Sequence, residues 1–357
     1  MDAPFLQIME ALQEALKGKD NEIPGSPAGQ SSSLDKNCFH LIDPANGPGP
    51  AKIAFIDGGN AEIIASASFS LHAVNLASCI YTGQKKIGTT SKSGYILITA
   101  KSLSGKLRYE ANFFGYPRSK IGIDASHPSI TIGFQRPSPG ALASPLRKVM
   151  ELGLAASMAL KLEPGSWIAL DGDFSAPTPF EQEALNDLLK ASSERDIGCL
   201  ALAKTSDLLS GRGDALIPLI KKMSPKQQPW FYAPIPPAHE TIPGMITAVA
   251  SLHKKSSHCF NLEVIVPKAR PSAGFGIDPE LKTLNALMKS LAENSKDSAF
   301  LGYPYGFIEA DQLARVSNQE KDYQKTKLLA ALGKNFPEIN DYLATKDAHA
   351  LLDRMRF

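Results

Sequence analysis

The chain is poor in cysteine, with four in 357 residues, and Cys38, Cys79, Cys199 and Cys259 form no CxxC pair. That excludes the usual spacing of a zinc site or a disulfide framework and reads as scattered thiols in a reducing compartment. No run of about 18 apolar residues occurs, so no membrane-spanning segment is expected. The N-terminus opens Met1-Asp2 and carries acids through its first apolar stretch, unlike a signal peptide. The expected location is the cytoplasm. There is no GxxxxGK[ST] loop, so the chain is not expected to be its own ATPase. Charge of one sign is missing too, because 38 Lys and Arg face 36 Asp and Glu, a net charge of +2. Any nucleic-acid surface must therefore be a local patch or be assembled by oligomerisation. No internal repeat and no long low-complexity tract is present.

What is present is ordinary globular material, 43% apolar and 21% charged. Phe5, Ile8, Met9, Leu12 and Leu16 recur at helical spacing, which predicts an amphipathic helix over 4–17, followed by a linker over 18–33. Such a detached helix has an apolar face to bury on its own domain or on a partner. The core opens at Lys52–Asp57, an apolar run that Asp57-Gly58-Gly59-Asn60 ends as a strand and tight turn. Residues 61–68 and 70–81 read as two more strands, giving an antiparallel meander of three. An inserted hairpin is expected at 92–100 and 106–114, and a long loop over 116–140. Helix 144–162, strand Trp167–Asp171, helix 179–193 capped by Thr178, and strand Ile197–Ala203 follow. Residues 210–243, rich in proline, read as loop. Strands at 245–253 and 259–266, a helix at 278–293, and helices at 308–316, 319–332 and 336–355 complete the expectation. The domains expected are 1–33 as helix and linker, 34–318 as one core, and 319–357 as C-terminal helices packing on it.

Four acids stand out by position. Asp57 and Asp171 each close an apolar strand and precede glycine. A carboxylate at a buried strand end costs free energy unless it is paired or binds a cation. If the two strands are neighbours, the carboxylates converge and repel, and a divalent ion is the usual remedy. Glu151, on the helix before the fourth strand, and Asp311, on a late helix, complete the set. Strand Asp, helix Glu, strand Asp, late-helix Asp is the order in which RNase H-like nucleases arrange metal-binding acids. Two-metal phosphodiester cleavage needs hard oxygen ligands from several directions.

The text around these acids resembles the NurA family of DNA-end-processing nucleases. Ile56-Asp57-Gly58-Gly59-Asn60-Ala61-Glu62-Ile63, then Ser68-Phe69-Ser70-Leu71, is similar to that family's opening motif. Leu146-Arg147 through Glu151 with Ile168-Ala169-Leu170-Asp171-Gly172 resembles its helix-plus-strand motif. Leu202-Ala203-Lys204-Thr205-Ser206 resembles its lysine segment, and Gly302-Tyr303-Pro304-Tyr305 with Ile308-Glu309-Ala310-Asp311 its C-terminal signature. The resemblance spans 52–316. It implies an RNase H-like mixed sheet, three antiparallel strands and then parallel ones, flanked by helices. It also implies a Mn²⁺- (or Mg²⁺-) dependent nuclease acting on DNA ends in double-strand break repair, a homodimer working with a hexameric HerA-type ATPase. Asp57, Glu151 and Asp171 match the family's metal-binding acids and Tyr303 a tyrosine near its site. Asp311 stands where some relatives carry histidine, and Asp173 is a rival ligand to Asp171. Lys204 reads as a phosphate contact or as a lysine snorkelling at a strand end. Tyr303 reads as stacking on a base, or as a turn residue packing its ring. His253 and His258 flank a Lys-Lys-Ser-Ser turn and read as surface residues. Two other functions fit the same acids: a catalytically silent scaffold that binds DNA or the ATPase, and a carboxylate-metal phosphohydrolase of small molecules.

Overall fold

The computed structural model describes residues 7–9, 11, 34–43, 51–117, 120–131, 133, 135–210, 213–235, 242–267 and 279–335. The strands are β1 (Phe39–Leu41), β2 (Lys52–Ala65), β3 (Phe69–Thr82), β4 (Lys85–Leu103), β5 (Lys106–Phe114), β6 (Ile121–Asp124), β7 (Trp167–Asp171), β8 (Gly198–Ala203), β9 (Trp230–Ile235), β10 (Met245–Ser251) and β11 (Phe260–Ile265). The helices are α1 (Ala143–Ala159), α2 (Pro179–Arg195), α3 (Leu216–Met223), α4 (Pro279–Asn294), α5 (Tyr305–Ala314) and α6 (Asn318–Asn335). The chain divides into two compact units, one of Met1–Pro50 with Leu200–Pro304, the other of Ala51–Cys199 with Tyr305–Phe357. The stretch 34–318 expected as one core contributes to both.

The second unit carries the acids. Its strands run in the order β7-β2-β3-β4-β5-β6. Neighbours from β2 to β6 are antiparallel, whereas β7 lies parallel to β2. Long antiparallel strands, then helix α1, parallel strand β7 and helix α2 make this an α/β fold with the expected RNase H-like order. Helices α1 and α5 both pack on β2. This is why Ile53 to Gly58 are buried without a break: a strand covered on both faces has no reason to alternate. Helix α1 buries Leu146, Val149, Met150 and Leu154, a stripe at three- and four-residue spacing. Helix α2 starts with the expected cap, in which Thr178 Oγ1 accepts from Glu181 N–H and Glu181 Oε2 accepts from Thr178 N–H.

One expectation is overturned at the motif itself. Gly58-Gly59 is no turn, because β2 runs through it for 14 residues and pairs with β3 at both glycines. Asp57 therefore sits inside a strand, and the strand expected at 61–68 is the second half of β2. The glycines answer a packing demand. A Cβ on Gly58 would stand 2.6 Å from Glu151 Oε1, and one on Gly59 2.2 Å from the Ala314 carbonyl oxygen. Gly172, after Asp171, is the true turn glycine, with φ +104°.

The meander is larger than expected. Strand β4 is 19 residues long and pairs with β3 before it pairs with β5, so the hairpin at 92–114 continues the sheet. Strand β6 and a 3₁₀ turn at Pro139–Leu142 fall in the stretch expected as loop.

In the first unit the strand order is β1-β9-β10-β11-β8. The loop expected over 210–243 holds helix α3 and strand β9. Pro218 occupies the first turn of α3, where a missing N–H costs nothing, so counting prolines was misleading there. Leu216, Ile220, Trp230 and Tyr232 share one core cluster. Residues 7–9 and 11 are helical, with Ile8 and Met9 exposed. The rest of the expected N-terminal helix, the linker 18–33 and the helix expected at 336–355 lie outside the described residues. No helix among the described residues is long and apolar enough to cross a membrane.

Candidate active site

Strand alternation sets out the acids around β2. Phe55 packs edge-on against Phe307 of α5, and Gly59 faces the backbone at Ala314, so Asp57 between them lies on the α5 side. Gly58 points to α1, where it leaves room for Glu151. The Glu151 carboxylate thus approaches the strand through space that any side chain at 58 would fill. Asp171 ends β7, which pairs with β2. Asp311 is exposed on α5.

The electrostatics join all four. Burial pushes the Asp57 carboxyl up to about 6, opposed by its hydrogen bond from Gly58 N–H (2.7 Å) and reinforced by the charges of Asp171 and Asp311. Burial likewise pushes Glu151 up to about 8, with Asp57 and Asp171 adding to the effect and Arg147 and Lys148 opposing it. These are the shifts expected of carboxylates that share a desolvated region with too little positive charge.

Arg147 is the residue whose role the sequence did not announce. Its Nη1 donates to the Gly58 carbonyl and lies 3.1 Å from Glu151 Oε1, an i,i+4 pair. The distance is that of a salt bridge, yet the angles do not make a hydrogen bond, and the buried Glu151 Oε1 and Arg147 Nε both lack one. The Arg-x-x-x-Glu spacing was the available signal. Asp173 is a poor rival ligand. Burial works against its ionisation, but the Ser175 hydroxyl and N–H and the Lys148 ammonium hold its carboxyl below the usual range. Its Oδ1 is already engaged.

A cavity of about 490 Å³ opens beside this cluster, lined by Arg147, Lys148, Glu151, Asp171 and Asp173 among others. Among the described residues, no three His, Cys, Asp or Glu side chains are gathered so as to hold a metal ion between them. The donor set nonetheless suits a hard divalent ion: it is all carboxylate oxygen, short of positive charge, with a buried oxygen that accepts no hydrogen bond.

The remaining expected residues belong to the first unit. Lys204 follows the end of β8, with its ammonium 5.3 Å from the centre of the Tyr303 ring. Tyr303 is 5% exposed and packs against Phe260 and Phe300. His258 stacks on the same two phenylalanines, and His253 Nδ1 accepts from Lys255 N–H, as turn residues do.

No protein-family model and no curated protein sequence matches this chain. Among solved structures it is similar to human endonuclease V, at 12% identity and TM-score 0.37 over 78% of this chain and 86% of that one. Endonuclease V of Ciona intestinalis, in complex with inosine-containing DNA, gives 13% and 0.36 over 74% and 84%. The Argonaute of Aquifex aeolicus gives 11% and 0.30 over 75% of this chain and 28% of that one. The likeness is coarse at these values.

Proposed function

We propose that this chain is a divalent-metal-dependent nuclease of the NurA kind that cuts DNA near its ends. The observation that carries the reading is Glu151, a buried carboxylate without a hydrogen bond at Oε1, electrostatically coupled to aspartates from separate elements. Its burial works against its ionisation. Asp57, Glu151, Asp171 and Asp311 would hold Mn²⁺ or Mg²⁺. A bound ion of this type supplies Lewis acidity at a phosphoryl oxygen and a water acidic enough to attack at neutral pH. The chain's own part is to aim the carboxylates. Arg147 holds the start of α1 to the Gly58 carbonyl, which fixes where Glu151 can point. Lys204, standing over Tyr303, is proposed as a phosphate contact.

The same reading brings a homodimer, because a net charge of +2 gives one chain little grip on DNA by counterion release. It also brings a hexameric HerA-type ATPase as partner and DNA-end processing in repair as the setting. The test is plasmid nicking with Mn²⁺, Mg²⁺ or EDTA, beside a panel of nucleotide substrates. Metal-dependent nicking without nucleotide hydrolysis supports the nuclease. Hydrolysis of nucleotides alone would show a small-molecule phosphohydrolase. A second reading, a silent DNA- or ATPase-binding scaffold, is favoured by the absence of three gathered ligands among the described residues. DNA binding without cleavage under every metal would establish it.

A further inference from the structure

Strands β4 to β6 carry a surface that the acidic site does not use. Residues 85–124 hold eight Lys and Arg against two Asp and Glu, in a chain whose whole surplus is two positive charges. The positive charge is therefore concentrated in this part of the sequence, and the rest of the chain is net negative. Register shows how the side chains divide. Ile96, Ile98, Tyr109 and Ala111 are buried on one face. Tyr95, Lys101, Arg108 and Phe114 alternate with them and take the other. There Tyr95 and Phe114 are direct cross-strand partners, 40% and 50% exposed, and Lys101 faces Arg108 along the same two strands. Glu110, between these pairs, is held by Lys101 at 2.6 Å and Lys120 at 2.7 Å. Asp124, opposite Arg108, turns its Oδ1 to Ser126. Three cations, Lys101, Arg108 and Lys120, thus stand with two carboxylates on this face, Glu110 being shared by Lys101 and Lys120.

An exposed leucine or tyrosine standing alone needs no explanation. Two aromatic rings set across from each other on a sheet face and bordered by cations are a different matter. Ring faces take stacked bases, and flanking Lys and Arg take the phosphates that link them. A duplex offers the phosphates but keeps its base faces stacked inside. We propose that the exposed face of β4 and β5 around Tyr95 and Phe114 is a binding platform for single-stranded nucleic acid. Its bases stack on the two rings, and Arg108, Lys101 and Lys120 hold its backbone. This platform is separate from the acidic site and does not depend on cleavage there.

The experiment is fluorescence anisotropy of a labelled oligothymidylate with the full chain in EDTA, where metal-dependent cutting is silent. The Tyr95→Ala/Phe114→Ala double variant is expected to bind the single strand at least about fivefold more weakly, the lower end of a lost stacking contact. Its affinity for a duplex of equal length should change less than about twofold. In a Phe114→Trp variant the oligonucleotide should quench a surface tryptophan signal, because the native Trp167 and Trp230 are buried. That readout decides the matter even if the double variant does not fold. Wild-type affinity in a folded double variant, or an unmoved Trp signal, overturns the platform. A changed sedimentation mass with unchanged oligonucleotide affinity also overturns it, by showing a contact between copies of the chain. None of these failures touches the metal-dependent nicking test.

Discussion

Two glutamates on helices that pack on the same sheet have opposite fates. Glu309 on α5 receives hydrogen bonds from the Tyr81 hydroxyl and the Lys86 ammonium. Burial works against its ionisation, but those partners hold its carboxyl below the usual range. Glu151 on α1 is less exposed, 14% against 17% for its side chain, and Arg147, 3.1 Å away, makes no hydrogen bond to its Oε1. Its carboxyl is pushed up instead. Exposure of the side chains does not distinguish them; Glu151 lies in the more desolvated surroundings, and the fold supplies donors to Glu309 but none to Glu151 Oε1. A carboxylate the fold has completed belongs to structure. One left incomplete beside other acids costs stability, and that cost points to a ligand the chain itself does not provide.

The largest expected effect tests whether the incomplete side of this comparison is catalytic. Asp57→Asn should reduce Mn²⁺-dependent nicking at least about a hundredfold, since it removes a proposed ion-binding oxygen and its charge. Its melting temperature should hold or rise, because a buried anion has been removed. Full nicking activity in this variant would remove Asp57 from the site.

Glu151 sharpens the comparison through pH. Its folded carboxyl titrates near 8 against an ordinary 4.5. The folded state therefore binds the proton more tightly than the unfolded state. The stability this adds is complete below about 4.5 and is lost as pH rises through about 8. In EDTA, wild-type melting should fall across that window, and Glu151→Gln should flatten the decline. At pH 8 to 9 the variant should be the more stable by on the order of 2 kcal/mol or more, a tenfold change in acidity being worth about 1.4 kcal/mol. Mn²⁺ should raise the wild-type melting temperature more than the variant's. Identical pH profiles for the two proteins would contradict the assignment.

Gly58→Ala asks whether the gap beside β2 is needed. The added Cβ would meet Glu151 Oε1 at 2.6 Å, its Cγ at 2.8 Å and Leu76 Cδ2 at 2.9 Å. Overpacking of this kind costs about 1–3 kcal/mol. Nicking should fall further than the melting temperature implies, because Glu151 is displaced. A thermal loss with unchanged specific activity would confine the glycine to packing.

The smallest effect is expected on the completed side. Glu309→Gln should cost about 1 kcal/mol, since Lys86 is 44% exposed and water replaces much of that pair. Nicking should survive. Loss of activity in this variant would erase the distinction between the two glutamates.

Elements that carry strong local signals are legible in the chain before it folds. The capping box at Thr178 and Glu181, strand Trp167–Asp171, helix α1 and the order of the four acids were all legible. Periodicity and caps are local, and nothing in the tertiary structure opposes them at these positions. Asp57-Gly58 and Asp171-Gly172 show the limit of such reading. Both are Asp-Gly after an apolar run, yet one glycine turns the chain and the other lies in a strand and admits a glutamate. Only the approach of α1 and α5 to β2 decides between those roles, because the demand at Gly58 comes from a residue 93 positions away. The same holds for Arg147, which reaches the Gly58 carbonyl across 89 positions. It holds too for the face of β4, where register alone sets Tyr95 opposite Phe114. Residue types came from the sequence; which of them meet, and which are left without donors, was decided by packing between segments far apart in the chain.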